Sequence, residues 1–193
     1  MFLFGHTGIT LGVASLWANA LRVPPTISGI PKHKTSWFVP LGTRVDIRLL
    51  LIGSLLPDII DKPLGIYIFP EALSNGRIFS HTILFLLVVT MVGIYLYRSR
   101  GKTHLLAVSF GVLTHLILDQ MWLAPRTLFW PIYGFAFDKY GTTDWIVHIL
   151  HRVVTYPSDY IPELIGAATL VWFTLALVQK RAVFRFLKYG QIQ

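Results

Sequence analysis

The sequence predicts an all-α integral membrane bundle: about five transmembrane or membrane-embedded helices plus one short interfacial helix, in a single domain over residues 1–193. Three observations predict it. Hydrophobic residues make up 54% of the chain and charged residues 13%, where soluble domains carry about a quarter charged. The mean hydropathy is +0.60. The apolar residues gather into five segments divided by connections rich in proline and glycine, and a span needs about 20 apolar residues. The net charge of +8 would point to nucleic acid in a soluble chain. Here the cations flank the apolar runs, so the lipid bilayer is the expected partner and no nucleic acid is expected. With no cysteine, thiolate metal sites and disulfides are excluded.

The first segment is about Gly8 to Leu21. Ala18-Asn19-Ala20 resembles a signal-peptide cleavage site, but the start lacks a basic region and carries His6, so an uncleaved helix is expected. Pro24-Pro25, Gly29, Pro31, Pro40 and Gly42 form the first loop. The second segment is about Asp46 to Asp61, and Pro63, Gly65, Pro70 and Ser74-Asn75-Gly76 follow it. The third, Ile78 to Tyr97, holds no Asp, Glu, Lys or Arg. Arg98 to Lys102 is a tight basic turn, after which the fourth segment runs from about Thr103 to Leu123. Segments one and two are the shortest and span only when packed inside the bundle. In the long connection that follows, Asp144, His148 and His151 fall at helical spacing and predict a short amphipathic helix at the interface. The fifth segment is about Pro162 to Gln179. Trp122, Trp130, Trp145, Tyr133, Tyr140 and Tyr156 suit an aromatic belt.

Polar residues fall where the helices change direction. If the segments run alternately up and down, starts of odd helices share one side with ends of even ones. That side then collects His6, Asp58, Asp61, Arg77, His81, His115, Asp119 and Glu163. Eight of the nine acidic residues fall there, all but Asp46, and twelve of the seventeen basic residues take the other side. The positive-inside rule then places the N-terminus and the acidic mouth outside, and the basic loops and C-terminus in the cytoplasm, in a multi-pass protein of the cell (inner) membrane.

His115 and Asp119 are the most informative pair. Four apart on a helix, they stack on one face inside an apolar run, where an ionisable group needs a partner. Asp58, Asp61 and Asp119 lie near predicted helix C-termini, an unfavourable place for negative charge by about 0.3–1 kcal/mol each, and a cation would relieve all three. Oxygen and imidazole ligands without sulfur suit a divalent metal, with zinc foremost and one or two ions expected. Asp58, His81, His115 and Asp119 are the core candidates, with His6 beside them; the bland alternative is a buried polar network joining helix ends. Asp61 has three readings: a base acting through an inner ligand, a ligand of a second ion, or a helix-end residue facing solvent. Arg77 would clamp a phosphate or carboxylate, or simply anchor at the interface. Glu163 suits a helix start. The Asp144–His148–His151 stripe is a second metal site, a lid edge, or the polar face of an interfacial helix.

The ordered set Gly5-His6, Leu56-Pro57-Asp58-Ile59-Ile60-Asp61, Arg77-Ile78-Phe79-Ser80-His81-Thr82, His115-x3-Asp119 and Trp130-Pro131 resembles the membrane-bound predicted metal-dependent hydrolases. That family includes a LexA-regulated bacterial inner-membrane protein and looks distantly similar to zinc-dependent phospholipase C. Gly76 stands where many members have histidine, and Pro57-Asp58-Ile59-Ile60-Asp61 where many have Pro-Asp-Ile-Asp-His. No His-x3-Glu helix is found, which puts a three-zinc centre in doubt. The resemblance implies a hydrolase acting through a metal-activated water on an ester or phosphoester of a lipid-like substrate. Asp61 or Asp119 would accept the proton and Arg77 would hold the substrate. The rival class is a non-catalytic metal-binding or cation-transporting membrane protein. The crowding of ionisable groups at one end favours a site over a pathway.

Overall fold

Helix boundaries follow the caps the sequence supplies. In a computed structural model, the described residues are 2–21, 37–42, 45–139 and 145–192, and all regular structure among them is helical. The elements are α1 (Leu3–Ala20), α2 (Val39–Gly42), α3 (Ile47–Lys62) with a π-helical continuation at Pro63–Ile68, α4 (Ile83–Arg100) and α5 (His104–Leu118). A 3-10 turn at Met121–Leu123 precedes α6 (Pro125–Leu128), α7 (Trp145–Thr155), α8 (Pro157–Gln179) and α9 (Val183–Tyr189). The side chain of Asp46 caps α3 by accepting from Arg48 N, and Thr82 caps α4 by accepting from Phe85 N. Gly101 ends α4 in the left-handed region at φ 67°, so α4 and α5 form a hairpin across the predicted basic turn.

Small residues set the crossings. A Cβ on Gly53 would lie 2.4 Å from Val108 O, and one on Gly111 would lie 2.5 Å from Leu50 O. α3 and α5 therefore touch backbone to backbone. Gly8 and Gly166 do the same for α1 and α8, where an added Cβ would come within 2.0 Å of a carbonyl oxygen. Lipid tails give no hydrophobic push between helices, so such close approach is how apolar helices gain van der Waals contact. α1 also packs on α3, α4 on α5, and α7 and α9 on α8. Phe38, Leu11, Ile47 and Leu50 centre one core with Phe173; Val112, Leu116 and Met121 centre another on α5.

Among the described residues, two helices are long and apolar enough to cross a membrane, α4 and α8, with hydropathies of 1.6 and 1.8. Among α4 residues only Gly93 is buried. Leu87, Val88, Met91 and Tyr95 are exposed, a surface suited to lipid rather than water.

Several expected boundaries shift, each for a local reason. The third helix starts at Ile83 rather than Ile78, because the backbone N–H groups of Ile78, Ser80 and His81 turn toward Asp61 instead of entering a helix. Arg77 and His81 therefore precede α4 instead of opening it. The second helix does not stop at Asp61 but runs on through Ile68, so Asp58 lies further from the exposed carbonyls than the dipole argument assumed. The first helix starts at Leu3, and the fifth at Pro157 with Pro162 inside it. The short helix expected in this connection forms as α7, while Asp144 lies outside the described residues.

A buried candidate metal centre

Asp61 builds the site. It is fully buried and accepts hydrogen bonds from Ile78 N at 2.7 Å, Ser80 N at 3.1 Å, His81 N at 3.2 Å and Ser80 Oγ at 2.5 Å. These donors wrap the 78–81 turn around the carboxylate. His81 Nδ1 lies 2.7 Å from Asp61 Oδ2. Asp61 accepts at its other contacts, so Nδ1 of His81 donates to it as well, and Nε2 is the ring nitrogen that faces inward.

His115 reaches the same state by another route. Its Nδ1 lies 2.7 Å from the backbone oxygen of Ser54 on α3, and a carbonyl only accepts, so Nδ1 is again the protonated nitrogen. Its Nε2 sits 3.1 Å from that of His81. With both rings neutral, the two Nε2 lone pairs face each other, and a cation between them would satisfy both; with one ring protonated, its Nε2–H donates to the other. Two carboxylates close the ring. Asp58 Oδ1 lies 3.6 Å from His81 Nε2 and 3.9 Å from His115 Nε2. Asp119 Oδ2 lies 3.8 and 4.0 Å from the same atoms. All four ligand atoms fall within 4.8 Å of one another. Ligands about 2.1 Å from one tetrahedral ion stand about 3.4 Å apart, so small side-chain adjustments would complete a coordination shell. Asp58 Oδ1 is buried with no hydrogen-bond partner among the described residues, as a carboxylate oxygen reserved for a cation would be.

These carboxylates also meet cations and a third imidazole, with Arg77 on the same Asp119 oxygen that faces the ring. Lys62 Nζ is 2.6 Å from Asp58 Oδ2, one turn along α3. Arg77 Nε is 2.9 Å from Asp119 Oδ2, and about half of the Arg77 side chain is exposed. Lys62 and Arg77 therefore stand on the solvent side of a cluster whose histidines are fully buried. His6 stacks on His115 with ring centroids 4.1 Å apart, and its Nε2 is 3.1 Å from Asp119 Oδ1. Neither ring nitrogen of His6 makes a hydrogen bond among the described residues.

The structure thus brings Asp58, His81, His115 and Asp119 together from three parts of the chain, with His6, Arg77 and Lys62 against them. Asp61 sits behind His81 rather than in the ring. Glu163 stays outside the ring as well. It caps α1, accepting from Phe2 N at 2.7 Å, Phe4 N at 2.9 Å and Gly5 N at 3.1 Å. His151 is exposed on α7 and lies edge-on to Tyr156. Two participants escaped the sequence reading. Lys62 was visible as an Asp58-x3-Lys62 pair. The Ser54 carbonyl had no signal, since any residue supplies one.

A family model for the YdjM inner membrane protein matches residues 1–189. The chain belongs to the YdjM inner membrane protein family. The membrane placement drawn from composition, from α4 and from α8 agrees with that membership. No curated protein and no solved structure matches the chain. The expected similarity of this YdjM-family chain to zinc-dependent phospholipase C finds no support in these comparisons.

Proposed function

We propose that this YdjM-family protein is a membrane-embedded, metal-dependent hydrolase that cleaves an ester or phosphoester of a lipid-like substrate. The observation that carries the reading is the pair of imidazole Nε2 atoms 3.1 Å apart, both with Nδ1 already donating, ringed by two carboxylates. Asp58, His81, His115 and Asp119 would hold a divalent ion, zinc foremost, and His6 and Asp119 Oδ1 leave room to argue for a second. Such an ion supplies Lewis acidity and brings the pKa of water toward neutrality. Asp61, saturated by donors, holds the tautomer and aim of His81, so the proton acceptor falls to Asp119, whose Oδ1 meets His6. Arg77, partly exposed beside Asp119, would orient the anionic group of the substrate. The fuller topology belongs to the same reading: α1, α3 and α5 are embedded with α4 and α8, the N-terminus and site are outside, and the C-terminus is cytoplasmic.

The test is metal analysis of protein purified without chelator, followed by a phosphoester and lipid-ester panel. About one or two equivalents of metal are expected, lost in a His115→Ala/Asp119→Ala double variant, together with turnover that depends on the metal. Stoichiometric metal without turnover on any ester would move the protein to the non-catalytic class. Absence of metal after titration with zinc, manganese and iron would leave only a polar network.

A further inference from the structure

The end of the molecule away from the His–Asp cluster carries a built cationic cleft. α8 ends at Gln179, and the chain turns through Lys180 and Arg181, the latter at φ 53°, before α9 departs at Val183. Between them lies a cleft of about 380 Å³ lined by Lys180, Arg181, Ala182, Arg185 and Ile192. Ala182 and Ile192 form a buried apolar floor. The three cationic side chains are exposed, and no salt bridge among the described residues reaches them.

The walls are fixed. Ile47 N donates to Gly190 O at 3.0 Å, and Arg48 Nη1 donates to Leu187 O at 2.7 Å, so α9 is tied to the start of α3. The carboxylate at this end, Asp46, is engaged by Arg48 Nε and Nη2 at 3.0 and 2.7 Å. It is thereby already paired. The other face of α9 exposes Val183, Phe184 and Leu187, and the adjoining face of α8 exposes Val171, Leu175 and Val178. A short helix with one apolar and one cationic face, leaving the end of a membrane-spanning helix, lies at headgroup depth.

We propose that this cleft binds the phosphate headgroup of an anionic phospholipid, with the acyl chains lying along the exposed face of α8. Two guanidinium groups match phosphate oxygens as paired donors. A zwitterionic headgroup would bring its own cation against Lys180 and both arginines. Diffuse attraction between basic residues and an anionic leaflet would be spread over every cation at this end; a cleft confines it to those three.

Native mass spectrometry of the full-length protein, released from nanodiscs of mixed phosphatidylglycerol and phosphatidylcholine, tests this by counting retained lipid. Wild type should retain phosphatidylglycerol in preference. Arg181→Gln/Arg185→Gln should lower that retention about tenfold or more. Lys188→Gln, on α9 but outside the cleft, should leave it unchanged. Lys180→Gln/Arg185→Gln spares the left-handed turn, and should show the same loss if the first variant does not fold. Equal losses in Lys188→Gln, unchanged retention in a folded cleft variant, or displacement of the lipid by millimolar inorganic phosphate would each overturn the proposal, the last by identifying a free anion as the ligand.

Discussion

Asp58 and Asp61 stand one helical turn apart and do different work. Asp58 turns an unpartnered oxygen to the centre of the cluster, whereas Asp61 gathers the backbone of the 78–81 turn and grips His81 from behind. Partners of this kind typically govern metal affinity by about 10–100-fold. Asp61→Asn should therefore bind zinc about 10–100-fold more weakly in a competitive titration with a chromophoric chelator, and affinity equal to wild type would exclude the positioning role. Glu163 makes a separate, metal-independent prediction. Its carboxylate satisfies three N–H groups at the start of α1, and a lost N-terminal cap costs about 1 kcal/mol. Glu163→Gln should lower the unfolding temperature in detergent by several degrees; an unchanged temperature would mean that the cap contributes nothing. The four candidate ligands were legible in the sequence, because ionisable residues inside apolar runs stand out. The tasks of Asp61 and Glu163 were not, because their partners are backbone N–H groups that every residue has.

At the scale of elements, the hydrophobic runs located each long helix but misplaced its start where a side chain elsewhere claimed the backbone. The 78–81 turn is apolar enough to read as helix, yet Asp61 holds it out of one. The glycines at crossings carry a sharper consequence. Gly111 lies against the backbone of Leu50 and Ser54, and the same contact positions Ser54 to receive His115 Nδ1. Gly111→Val should push α3 from α5, giving little monodisperse protein by size exclusion; normal recovery with full metal content would refute the close packing. The α3–α9 latch should respond to acid. Burial alone would raise the Asp46 carboxyl, but hydrogen bonds and the charge of Arg48 hold it below its ordinary value of 3.8. A depressed folded-state value means that the latch contributes fully above pH 3.8 and fades as pH falls below it. Hydrogen exchange across α9 should accelerate in that acid range, and Asp46→Asn should exchange rapidly at every pH. A wild-type profile flat through the acid range would contradict the latch.

Over the whole molecule, the alternating direction of the helices predicted which ends meet, and the meeting of Asp58, His81, His115 and Asp119 follows that arithmetic. What the sequence did not disclose is the number of crossings, since α3 and α5 span 16 and 15 residues and α1 carries polar residues along its length. Topology reporters fused after Gly101 and at the C-terminus should both read cytoplasmic; an extracytoplasmic signal from either would reverse the orientation. The contact of α1 with α8 then has a bearing on synthesis. His6 leaves the ribosome well before Glu163 and Gly166, which seat its helix. Contacts between the two ends of a chain form late, because the intervening loop must close first. Throughout insertion, then, a nascent chain holds Asp58, His81, His115 and Asp119 without the imidazole that will cover them. Completion of the cluster therefore waits for α8, so a chain cut short before that helix would carry the inner His–Asp residues and still leave them open to water.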